Sequence, residues 1–125
     1  MENHFKGKKK GLGRLWHALQ YSSAGFLAAY QHEDAFRMEV YLALILLPIA
    51  CLFQFTPVER ILLIGSVLVV IMVELVNSAI EATVDRVSLD SHPLAKRAKD
   101  IASAAVLTSL VNLAVVWGIV LYGRV

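Results

Sequence analysis

A chain of 125 residues with 58% hydrophobic side chains and a mean hydropathy of +0.62 has room for one domain and is too apolar for an ordinary soluble one. Its lone cysteine, Cys51, excludes an intramolecular disulfide and a cysteine metal cluster. The formal net charge is only +2, so the placement of charge says more than its sum.

The N-terminal tract MENHFKGKKKGLGR is basic, but His17, Gln20, Tyr21 and Ser22 interrupt the stretch after it, and no small-residue cleavage site comes after the first apolar run. That pattern predicts no secretory signal peptide and a chain anchored by its own helices. Leu12, Leu15, Trp16 and Leu19 recur at helical spacing with Arg14, His17 and Gln20 between them. They predict an amphipathic helix over about 12–31, lying in the membrane surface or packed on its own protein.

Three apolar segments come next, at about 35–55, 58–84 and 101–122. Each approaches the roughly twenty residues that a span requires. Pro48 should kink the first, which membrane helices tolerate. The second contains the charge-free ILLIGSVLVVIMV, and the third carries no charge at all. Trp117 and Tyr122 near its end suit a headgroup-level aromatic anchor. FTPVER forms the short turn between the first two spans, and Pro93 after His92 marks a helix restarting at its first position. The predicted fold is thus an all-α membrane protein: one domain over 1–125, a surface helix and three spans.

Lys6, Lys8, Lys9, Lys10 and Arg14 precede the first span, and Arg86, Lys96, Arg97 and Lys99 lie between the second and third. The short turn holds only Arg60 and the C-terminus only Arg124. The positive-inside rule then places the N-terminus and the second connection in the cytoplasm, in a multi-pass membrane protein.

The second span ends in VELVNSAIEATVDR. Asn77, Glu81 and Asp85 stand three, seven and eleven residues after Glu74, so all four line one helical stripe with Ser78 at its flank. With Asp85 at the cytoplasmic surface, Glu81 lies about 6 Å deeper and Glu74 about 16 Å deeper. An Asp at mid-span costs roughly 2.5–3.5 kcal/mol on translocon scales. Interhelical polar bonds return only about 0.6 kcal/mol on average, which favours a functional reading over polar glue. A desolvated Glu74 suits a general base. Glu81, nearer water, suits a hard cation such as magnesium, which takes one or two carboxylates plus phosphate oxygens and water.

HEDAFRME places Glu33 and Asp34 where the surface helix meets the first span, and Lys99 and Asp100 open the third at the same level. Carboxylates for metal, interleaved with cations for phosphate, make a magnesium–nucleotide site. The familiar cradles are missing: GKKKGLGR is neither a P-loop nor a dinucleotide turn, and reads as an anionic-lipid contact. His4, His17, His32 and His92 show no zinc spacing.

VELVNSAIEATVDR, the later HPLAKRAKDIASAAV and the earlier EDAFRMEV together resemble the small integral-membrane diacylglycerol kinases of prokaryotes, over essentially the whole chain. The resemblance implies homotrimers with active sites shared between subunits, and transfer of the γ-phosphoryl of Mg-ATP to the primary hydroxyl of diacylglycerol, giving phosphatidic acid. It implies Glu74 as catalytic base with Asn77 beside it, and Glu33 and Glu81 on the Mg2+ ion. Nucleotide contacts would come from Arg14, Tyr21, Glu33, Glu81, Asp90, Ser91, His92, Lys99 and Asp100. The lipid site would be formed or supported by Arg14, Arg37, Glu39, Glu74, Ser103 and Trp117. The expected partners are a membrane lipid, ATP and further copies of the chain, with no nucleic acid. Two other readings are an undecaprenol kinase of the same mechanism and a small proton-coupled transporter; the interfacial bias of the acids speaks against the transporter.

Overall fold

In the computed structural model, which describes residues 11–87 and 92–125, four helices succeed one another: α1 (Leu12–His32), α2 (Asp34–Leu52), α3 (Pro57–Val87) and α4 (Pro93–Tyr122). The last three are long and apolar enough to cross a membrane. Their ends differ modestly from the sequence expectation. The first span closes at Leu52, before the turn residues Phe53–Phe55, and α4 begins at Pro93, eight residues before the apolar run at Ile101. The reason is local: Pro93 occupies the first helical position, and His92 Nδ1 accepts a hydrogen bond from the Leu94 backbone N–H at 3.0 Å. A polar first turn is thereby helical without being apolar. Lys6 to Lys10 lie outside the described residues.

Each join has an identifiable stop. Between α1 and α2 a single residue, Glu33, takes extended backbone (φ −121°, ψ 112°) and breaks the helix. Before α3, the Thr56 N–H donates to Glu59 Oε1 at 2.8 Å while the Glu59 N–H donates to Thr56 Oγ1 at 3.2 Å, a reciprocal capping box with Pro57 at the first turn. Arg60 reaches back to the last carbonyls of α2, donating to Ala50 O at 2.6 Å and Cys51 O at 2.8 Å. Those carbonyls would otherwise be orphans of the helix C-terminus. Arg124 closes the same end, pairing with Glu59 at 2.8 Å, donating to Gln54 O and lying 4.8 Å from the Phe55 ring centroid.

α3 is the axis of the chain: α4 packs along it most extensively and α2 next, while α1 touches α2 and α3 only lightly. The apolar core joins Ala43 and Ala50 of α2, Leu63, Val67 and Val70 of α3, and Leu113, Trp117 and Val120 of α4. Trp117 is buried there, donating from Nε1 to Leu63 O at 3.3 Å, so it acts as a packing residue and not as a headgroup anchor. Tyr122, five residues later, is exposed as an anchor would be. Along α1, Leu12, Leu15, Trp16 and Leu19 are all exposed. Among the described residues of one chain the apolar stripe therefore has no protein partner, which favours the lipid-facing alternative.

Leu63 has no exposed surface, and lipid gains nothing from leaving a cavity there. Leu63→Ala should lower stability by about 2–5 kcal/mol. Equilibrium unfolding in mixed micelles measures it; a loss within experimental error would show that α3 and α4 do not interlock at this residue.

Candidate functional site

Glu74 lies on the face of α3 turned toward α2 and is 2% exposed. Asn77, also buried, stands one turn on and donates from Nδ2 toward Glu74 Oε1 at 3.5 Å and Glu81 Oε1 at 3.4 Å. The three- and four-residue steps predicted from sequence thus place one amide between two carboxylates. Glu39 of α2, 8% exposed, sits within hydrogen-bonding reach of Glu74. Glu33, at the break between α1 and α2, faces Glu81 and Glu74 from the third side.

Among the described residues, four buried side-chain atoms have no protein partner: Glu39 Oε2, Glu74 Oε2, Asn77 Oδ1 and Ser78 Oγ. All belong to this one cluster. Buried polar groups are nearly always satisfied in native proteins, so a group of such atoms marks a place where something else supplies the partner. Burial pushes the Glu33 carboxyl above the usual carboxylate range, and the negative charges of Glu81 and Glu74 push it further.

Cations border the cluster on its outer side. Lys99 of α4 pairs with Asp85 of α3 at 2.5 Å, and Lys96 pairs with Asp100 at 2.5 Å. The helical period puts Asp85 on the stripe, but its partner cannot be read from that period, because Lys99 comes from another helix.

The remaining expected site residues separate into groups. Arg37 lies in the first turn of α2 and donates to Tyr30 O at 2.7 Å and Gln31 O at 3.2 Å, with its other nitrogen on Asp34. Arg14 and Tyr21 are exposed on α1, about 28 Å and 18 Å along the helix from Glu33 at 1.5 Å per residue. Tyr21 stacks on His17 with ring centroids 6.4 Å apart. Ser103 is exposed on α4, whereas Trp117 lies far down the bundle beside Leu63. One chain therefore gathers Glu33, Glu39, Glu74, Asn77 and Glu81, with Lys99 at the border, while Asp100 pairs with Lys96 on its own helix, and it does not bring Arg14, Tyr21 or Trp117 to them. Asp90 and Ser91 lie outside the described residues, and His92 caps α4. Glu39 carries no sequence signal of its own: it stands off the α3 stripe, and only the family resemblance points to it.

Among the described residues no three His, Cys, Asp or Glu side chains form a closed metal cage. Glu33 and Glu81 offer a pair of neighbouring carboxylates, the donor set that magnesium uses when phosphates and water complete its shell. The residues fit that ion.

Three helices long and apolar enough to cross a membrane, enclosing a buried carboxyl cluster, define the class as a helical membrane protein of several spans. The family model for prokaryotic diacylglycerol kinase matches residues 20–121. The chain is 51% identical over 119 residues to the diacylglycerol kinase of Pseudomonas aeruginosa, covering 95% of this chain and 96% of that one. It is 44% identical over 115 residues to the diacylglycerol kinase of Haemophilus influenzae (92% and 98% covered). The same identity holds over 114 residues with that of Escherichia coli strain K12 (91% and 93% covered). The chain belongs to the prokaryotic diacylglycerol kinase family, as a bacterial membrane enzyme of the kinase class.

Because the Glu33 carboxyl is raised, ionising it is harder in the folded, cation-free protein than in the unfolded chain. Its contribution to stability is therefore complete below the ordinary glutamate range and is lost as pH climbs through the raised value. Glu33→Gln should flatten that part of a stability-against-pH curve measured in chelator; an unchanged slope would assign it to another group.

Proposed function

We propose that this protein is an ATP-dependent diacylglycerol kinase of the bacterial inner membrane, with its N-terminus and its carboxyl cluster on the cytoplasmic side. The observation that carries the reading is the pair of roles available in one cluster. Glu74 is buried two turns inside α3 from Glu81, while Glu81 and Glu33 are only partly buried. A lipid alcohol presents its hydroxyl just below the headgroups and a nucleotide arrives from the cytoplasm, so a phosphoryl transfer between them needs a base inside and a phosphate site outside.

Glu74 accepts the proton of the diacylglycerol primary hydroxyl as that oxygen bonds to the γ-phosphorus. The bond from that phosphorus to the β–γ bridging oxygen breaks, and the products are phosphatidic acid, ADP and a protonated Glu74. Asn77 orients the Glu74 carboxylate through its amide. Glu33 and Glu81 would hold Mg2+, which when bound neutralises phosphate charge. Lys99, Asp100 and His92, with Asp90 and Ser91, contact the nucleotide, and Glu39 and Ser103 support the lipid side. Arg14, Tyr21 and Trp117 lie too far from the cluster in their own chain. A homotrimer with active sites shared between subunits accounts for that distance, since neighbouring copies then supply what one chain lacks.

The test is transfer of labelled phosphate from ATP, with magnesium, in detergent–lipid micelles offered diacylglycerol or undecaprenol separately. Label on diacylglycerol is expected; label on neither lipid would sink the kinase reading, and label on undecaprenol alone would reassign the acceptor. Glu74→Gln should lower kcat by about 10²–10⁴ with nucleotide binding kept. Lost binding with normal turnover per bound ATP would contradict the base. Glu81→Gln should raise the magnesium requirement, and an unaltered requirement would remove it from the metal.

A further inference from the structure

α1 and α2 are joined by one non-helical residue, Glu33, so the angle between them depends on very few backbone dihedrals. That residue also carries a carboxylate that must meet Glu81 on α3. A brace is required.

The structure contains two ties across the bend. Arg37 in the first turn of α2 donates from Nη1 to the Tyr30 and Gln31 carbonyls at the frayed end of α1, and its Nη2 is held by Asp34. The rigid guanidinium fork suits this double grip, and both terminal nitrogens are committed to the protein. Further along α2, the Tyr41 hydroxyl meets that of the same Tyr30 at 2.8 Å with the rings edge to face. Ties from two levels of α2 resist rotation as well as opening.

We propose that Arg37, together with the Tyr30–Tyr41 pair, positions Glu33 by locking the angle between the surface helix and the first span. Arg37 thus acts on the metal–nucleotide side of the site, and not on the lipid toward which the family resemblance directs it. The inference rests on the proposed metal role of Glu33 and deepens it.

The experiment uses the full-length protein in micelles, with Mn2+ titrated by electron paramagnetic resonance in the presence of a non-hydrolysable ATP analogue. Arg37→Gln should weaken Mn2+ binding about tenfold, as loss of a supporting partner does elsewhere, with the lipid KM unchanged. Tyr41→Phe removes one hydroxyl without changing the ring, and should weaken Mn2+ binding measurably with folding intact. It carries the test alone if Arg37→Gln fails to fold. Nitroxides at Ala18 and Leu44 in a Cys51→Ser background, diluted with unlabelled protein, should show a broadened distance distribution in both variants. A raised lipid KM with unchanged Mn2+ affinity and an unchanged distribution would overturn the positioning role. If wild-type protein and analogue bind no Mn2+, the metal reading of Glu33 falls first, and the positioning role with it.

Discussion

A carboxyl group below the lipid headgroups persists only where protein replaces both water and hydrocarbon around it. Glu74 meets that condition by being enclosed on the α2-facing side of α3, with Asn77 and Glu39 as its neighbours. The rest of the molecule is arranged to keep this enclosure shut. α3 must be held on two sides, so α2 and α4 pack along it; Glu33 must be brought over the outer end, so the chain bends sharply after α1.

The packing that achieves this is concentrated away from the carboxyl cluster. Leu63, Val67, Val70 and Trp117 are interlocked toward the other membrane face, and the Trp117 indole satisfies its only donor on the Leu63 carbonyl. In a bilayer, apolar surface gains little from leaving lipid, so association must come from close fit. Small residues let the helices approach: Ala43 and Ala50 on α2 and Ser66 on α3 are all buried. Ser66 turns its hydroxyl back to Leu63 O at 2.9 Å, which adds no unsatisfied polarity.

Much of this is legible in the sequence, and the exceptions have causes. Three spans and an amphipathic start come from hydropathy and period alone. The alignment of Glu74, Asn77 and Glu81 comes from helix geometry, because residues on one helix share a rigid frame. Contacts that depend on two helices are not legible. Glu39 facing Glu74, Lys99 meeting Asp85 and Tyr30 meeting Tyr41 all require the packing angle, which no periodicity encodes. Trp117 misleads for a related reason: an aromatic near a span end suits either an interface or a core, and only the opposing Leu63 carbonyl decides between them.

The two ends of the bundle illustrate the same division in their polar groups. At the C-terminal side of α2, Arg60 and Arg124 take up backbone carbonyls, Glu59 accepts from Arg124, and Thr56 and Glu59 cap each other. That end is chemically closed. At the opposite end the buried oxygens of Glu39, Glu74, Asn77 and Ser78 lack partners among the described residues. A sequence selected only to assemble would have finished both ends alike, since an unsatisfied buried polar atom costs about 1–3 kcal/mol. The asymmetry separates a closed end, built for stability, from one whose buried oxygens the described protein groups leave unpaired.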